Sequence, residues 1–261
     1  MDHLQLIQDE TSRFIDVLRD VDPAAPVPTC PEWTASELLW HFTDVHAFWA
    51  RILASGALTD EDSEKVEAAA PDRPSDPESV IALLEAETAA LVAELATRED
   101  AEPAWSWFAT DQTVGFTRRM QVHEATMHRV DAEETAGVES APIAAEVAAD
   151  GIAHGIEVML AWWGTNPGFA FHPGAGAVEL RLSDAEPRLV VGGRWRGTGQ
   201  SGKEYDEPGI AFASDGEPVA TISGTAEEVY RWLWGRGPEP AASGEQAALD
   251  AVRAAAAQGM Q

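Results

Sequence analysis

The sequence predicts two domains of different class: an N-terminal bundle of four or five helices over residues 1–166, and a small C-terminal α+β domain over residues 167–261. Three observations lead there. The chain has 261 residues, and domains of about 100–200 residues are usual, so two units are favoured over one. Up to Trp163, apolar residues recur at helical spacing. Beyond Pro167 the texture changes to short alternating runs separated by Gly, Asp and Pro, as strands and their turns require.

Each element follows from local signals. Leu4, Ile7, Phe14, Ile15 and Leu18 share a helical face, which places a helix over residues 2–19. The run VDPAAPVPTCPEW cannot continue it, because proline lacks the N–H a helix needs. Thr34 and Glu37 form a capping box that opens a second helix reaching residue 54. Residues 55–75 are acidic and hold Gly and Pro, so they read as loop. Asp76-Pro77-Glu78 starts a third helix with proline in its first turn. A fourth spans residues 114–136 and stops at Gly137, and a fifth spans residues 141–163 and stops at Gly164. Strands are expected at residues 178–182, 188–192, 209–213 and 219–223. Thr225 and Glu228 form a second capping box, and a last helix covers residues 245–257.

Composition narrows the function classes. Forty-five acidic against 17 basic side chains give a net charge of −28. Such a surface repels phosphate backbones and anionic lipid, so neither nucleic acid nor membrane is an expected partner. No run of about 18 apolar residues occurs, so no membrane span is expected. The N-terminus MDHLQLIQDE lacks a basic region followed by an apolar run, so no signal peptide is expected. Cys30 is the single cysteine, which rules out an internal disulfide and fits a reducing cytoplasm. It reads as a small apolar residue packing the loop before Trp33. Trp33, Trp40 and Trp49 are expected in the bundle core.

The segment RRMQVHEATMHRVDAE carries the chemistry. Glu124 and His128, four residues apart, lie about 40° from one another on a helix, so one face presents a carboxylate and an imidazole to one point. His123 is about 140° away from His128 and does not join them. A zincin helix has two residues between its Glu and second His; here there are three, so Glu124 reads as a ligand rather than a general base. A third donor has to come from another helix. His41, on the apolar stripe of the second helix, is the best candidate, whereas His46 is about 140° round and is expected at the bundle's edge. An exposed helical pair and a hydrogen-bonded core histidine would give the same pattern. Two His and one carboxylate leave coordination positions open, the arrangement of catalytic sites. Zinc is the first expectation, and iron, nickel or manganese also suit such donors. Asp131 and His46 are candidates to orient a ligand imidazole. Arg194 and Arg196, in GGRWRGTG, suit either a bound carboxylate or a solvent-facing strand end.

Taken together, CPEWTASELLWHFTDVHAFW, RRMQVHEATMHRVDAE and ATISGTAEEVYRWLWGR resemble the mycothiol-dependent maleylpyruvate isomerase family, within the DinB-like metalloenzyme superfamily. The resemblance spans nearly the whole chain. It implies a DinB-like metal-binding bundle followed by a C-terminal domain similar to sterol-carrier proteins. It implies a divalent metal on His41, Glu124 and His128, and an arginine near the end of the chain that serves catalysis, for which Arg236 is the best match. A cation near a helix C-terminus is the plainer reading of Arg236. It also implies mycothiol as cofactor: its sulfur on an open metal position would be a thiolate, which adds to a small electrophile, such as an unsaturated carboxylic acid, for isomerisation or S-transfer. The expected partners are therefore that electrophile and a low-molecular-weight thiol, on a monomer or homodimer. A thiol-independent hydrolase with water on the metal, and a non-enzymatic small-molecule binder with a structural metal, are the competing classes.

Overall fold

The computed structural model describes residues 1–260. The chain divides into two compact units, Met1–Ala141 and Pro142–Gln261. The division falls before the expected fifth helix rather than after it, because that segment packs with the second unit.

The first unit is helical. It contains α1 (His3–Leu18), a two-stranded ribbon of β1 (Pro26–Val27) and β2 (Cys30–Thr34), α2 (Ala35–Ser55), α3 (Asp60–Ala68), α4 (Pro77–Ala96) and α5 (Val114–Ala136). The Thr34–Glu37 capping box opens α2, and α5 ends at Gly137, whose φ of 66° suits glycine. The core gathers Phe14, Ile15 and Leu18 from α1, Leu38, Leu39 and Phe42 from α2, and Ile81 and Leu84 from α4. Cys30 is buried in the same cluster. The structure corrects the expected loop at residues 55–75, since nine of those residues form α3. Only Ser63 and Val66 of α3 are buried, so it shows no apolar stripe. Its N-terminus is stabilised instead by the Thr59 cap and by Asp60, Glu61 and Asp62 in the first turn.

On the side of α5 away from the ribbon, a buried ionic cluster ties this helix to α1. Arg129 donates to Glu10 at 2.6 Å and to Glu133 at 2.7 Å. Glu133 also accepts from Arg13 at 2.9 Å. Arg129 and Glu133 are buried.

The second unit begins with α6 (Ala145–His154), followed by a π-helical turn at Gly155–Met159 and a 3-10 turn at Trp162–Thr165. The single fifth helix expected over residues 141–163 is therefore three segments. The backbone packs closely where the π-helical turn begins: a Cβ on Gly155 would lie 2.9 Å from Trp234 Nε1. The sheet comprises β3 (Ala170–Pro173), β4 (Ala177–Leu182), β5 (Arg188–Thr198), β6 (Glu204–Phe212), β7 (Pro218–Gly224) and β8 (Ala241–Gly244). One edge of β5 pairs along β6, and its other edge pairs with β4 and then β3. β4 runs parallel to β7, and the remaining pairs are antiparallel. The helices α7 (Ala226–Leu233) and α8 (Gln246–Ala256) complete the unit, α7 behind its expected capping box. The four expected strands are present; β3 and β8 were not expected, nor were β1 and β2 within the proline-rich segment read as loop.

Tyr230 fixes how α7 packs on α6. A Cβ on Gly151 would lie 2.3 Å from the Tyr230 ring, which is fully buried. Alanine would gain about 0.5–1 kcal/mol of helix propensity, but overpacking a rigid core costs about 1–3 kcal/mol, so the clash wins. Gly151→Ala is expected to destabilise the protein by about 1–2 kcal/mol in urea unfolding; a stabilised variant would contradict this packing.

Candidate metal centre

The ribbon, α2 and α5 bring three donors together. His41, Glu124 and His128 each offer a ligand atom, and these atoms all lie within 4.8 Å of one another. His41 and Glu124 are half-buried while His128 is buried, so the group opens on the side of the first two. The His41 ring stands 5.0 Å from that of His128 and 4.6 Å from Trp33. Of the three tryptophans expected in the core, Trp49 alone is buried. Trp40 is partly buried, and so is Trp33, which covers His41.

His128 is oriented from behind. Its Nδ1 lies 3.1 Å from Asp131 Oδ2, and Asp131 Oδ1 accepts from the Thr29 hydroxyl at 2.6 Å. With its proton on Nδ1, a neutral ring turns the Nε2 lone pair toward Glu124 and His41. That Nε2 is buried and has no aligned hydrogen-bond partner, although Glu124 Oε2 is 3.3 Å away. A buried lone pair of this kind, facing a carboxylate and a second imidazole, fits a divalent cation. The expected role of Asp131 as an orienting group thus has a geometric basis. Losing such a partner typically costs 10–100-fold in metal affinity, so Asp131→Ala is expected to weaken metal binding by about that factor in a chelator competition.

Without metal, His128 is a strong base. Burial pushes its pKa down, but Asp131 and the nearby Glu124 outweigh burial and raise it to about 9. A raised histidine pKa stabilises the metal-free fold fully below the unfolded value of about 6.5, and this is lost as pH rises through about 9. A metal on Nε2 must displace the proton, so apparent affinity is expected to rise about tenfold per pH unit from pH 7 to 9. A flat profile over that range would contradict His128 as a ligand.

The remaining candidates fall elsewhere. His46 is fully buried rather than at the bundle's edge. Its Nδ1 lies 2.8 Å from the Thr88 hydroxyl of α4, and burial, then the charge on His128, lowers its pKa to about 3. Arg236 belongs to the second unit and is buried, its Nη1 donating to the carbonyls of Trp234 and Met260. Arg194 and Arg196 pair with Asp206 on the neighbouring strand, so an internal carboxylate meets both. Sequence reasoning did not single out the Arg129–Glu133 pair: four residues apart, it looks like any exposed helical ion pair.

The chain resembles known proteins over most of its length. Residues 4–133 match the family model described as the mycothiol maleylpyruvate isomerase N-terminal domain. Residues 146–257 match the model described as the MDMPI C-terminal domain. Two solved structures, of the mycothiol-dependent maleylpyruvate isomerase and of a histidine-to-alanine mutant of it, align with 94% of this chain and 93% of theirs. Identity is 17% in both, with TM-scores of 0.58 for the first and 0.57 for the mutant. At that identity the likeness shows a shared fold, a helical region followed by a sheet domain. No curated protein matches the chain significantly.

Proposed function

Because the chain belongs to the mycothiol-dependent maleylpyruvate isomerase family, we propose that it is a metal-dependent, mycothiol-using enzyme acting on a small electrophile with an activated double bond. Isomerisation is the favoured reaction and S-transfer the variant of it. In this reading the first unit is a DinB-like bundle, and the second resembles sterol-carrier proteins. The observation that carries the proposal is the convergence of His41, Glu124 and His128, with the buried Nε2 of His128 beside Glu124.

His41, Glu124 and His128 would hold the metal, zinc first among the candidates. A bound cation favours the thiolate form of a thiol. Mycothiol would supply a nucleophile that adds reversibly to a cis double bond and so permits rotation to trans. The chain's own residues do the positioning. Asp131 fixes the tautomer of His128, and Thr29 fixes Asp131. Trp33 covers one side of His41, and the half-buried His41 and Glu124 leave the opposite approach to ligands. No protein nucleophile is required, which suits a chain whose one cysteine is buried in the core. Arg236, in the second unit, is the arginine that the family resemblance proposes for catalysis.

The test is turnover of maleylpyruvate by metal-loaded protein with and without mycothiol, followed by loss of the cis isomer. Turnover that needs both metal and mycothiol supports the reading. Turnover that is independent of thiol would replace it with the hydrolase class.

A further inference from the structure

Some of the buried polar groups on the two helices that carry the ligands are hydrogen-bonded to nothing among the described residues. Thr117 and Gln121 on α5 are fully buried, and Thr117 Oγ1 and both side-chain polar atoms of Gln121 lack partners. At about 100° per residue, Thr117, Gln121, Glu124 and His128 fall within about 60° on one strip of α5. Thr117 also departs from the habit of this unit. Thr11, Thr43, Thr88 and Thr126 each donate to the carbonyl four residues back, at 2.7–2.8 Å; Thr117 does not.

His46 adds a third group from α2. Thr88 gives its hydroxyl proton to Leu84 O at 2.7 Å, so at 2.8 Å from Thr88 it is His46 Nδ1 that donates. The Nε2 of His46 is then a buried lone pair, also without partner. Its ring packs on Phe42, which in turn touches the ring of His128, and it feels the charges of His128 and Glu124. Folded chains rarely leave buried donors and acceptors unused: ordered water, an ion or a ligand takes them up.

We propose that His46, Gln121 and Thr117 form a hydrogen-bonding subsite, running from the metal ligands along α5 toward its N-terminus, for the neutral hydroxyl- or amide-bearing body of the thiol cofactor. The proposal rests on the thiol-using reading above. The chemistry selects the class of ligand. His46 only accepts, Gln121 donates and accepts, and the Thr117 hydroxyl does both. None of the three is cationic, and a carboxylate placed there would meet the His46 lone pair and the Glu124 charge. Neutral groups that both donate and accept complement the set, which separates the thiol's body from an acidic electrophile.

The test uses the metal-loaded full chain and calorimetric titration with mycothiol and with 1-propanethiol, which has a sulfur but no polar body. Gln121→Leu and the near-isosteric Thr117→Val are expected to keep the parental metal content and to melt no lower than the parent, since each removes an unsatisfied group. Mycothiol binding should weaken about 10–100-fold in Gln121→Leu, less in Thr117→Val, while propanethiol binding stays the same. Parental mycothiol affinity in both variants would overturn the subsite and leave the thiol reading standing. So would equal weakening toward both thiols, or a lost affinity for the electrophile instead. If the parent itself binds no mycothiol, the thiol reading and the subsite fall together.

Discussion

A His41→Ala protein is expected to fold like its parent and to bind divalent metal about a hundredfold more weakly. His41 is the cleanest of the three donors to remove. His128 supports the fully buried Asp131, so its loss would strand a carboxylate and mix stability with affinity. His41 is half-buried, and its ring packs beside those of Trp33 and His128. Zinc binding by four-ligand peptides is worth about 10–16 kcal/mol, roughly 3 kcal/mol per ligand, which is about two orders of magnitude in affinity. The check is a competition titration against a chromogenic chelator, with circular dichroism of the metal-free variant to establish folding. A variant with parental metal affinity would remove His41 from the site.

Glu133→Ala is expected to destabilise the protein severely, well beyond the effect of Gly151→Ala. Arg129 is 1% exposed and Glu133 is wholly buried. Alanine would leave Glu10 as the only carboxylate bonded to Arg129 and would strip Arg13 and the Ala141 amide of their acceptor. Breaking a buried ionic pair by removing one partner costs about 3–5 kcal/mol; here Glu10 still faces Arg129, and the cost comes from the donors of Arg129, Arg13 and Ala141 left without their acceptor. For a chain of this size that corresponds to a melting temperature lower by roughly 6–20 °C. The effect should reach the metal centre, because Arg129 and His128 are neighbours on α5. A Glu133→Ala protein that melts within about 2 °C of the parent would show that this cluster does not hold α5 in place.

Much of the site was legible in the sequence because helices convert spacing into direction. The four-residue step from Glu124 to His128 and the capping box that starts α2 are local signals, and both survive into the structure. His46 shows where such reasoning stops. Its angle from His41 only establishes that the two face different ways. That the second face is also buried depends on α4 and on Thr88, forty-two residues away. Helix α3 was hidden for the opposite reason: it is held by caps and charges with almost no buried face. The break after His154 carries no local signal of its own in the sequence. Strand β8, with the sequence AASG, carries no β-branched or aromatic residue and is specified by its partner β7. For His46 and β8 the missing information was a contact between distant segments.

If a metal held by His41, Glu124 and His128 lets this chain use a thiol, the thiol must bind only where the metal is present. Calorimetric titration of mycothiol into metal-loaded and chelator-stripped protein tests this most directly. Saturable binding to the loaded protein is expected, and none to the stripped protein or to His41→Ala at metal concentrations too low to load it. Equal binding by the loaded and stripped forms, or no binding by the loaded form, would contradict it.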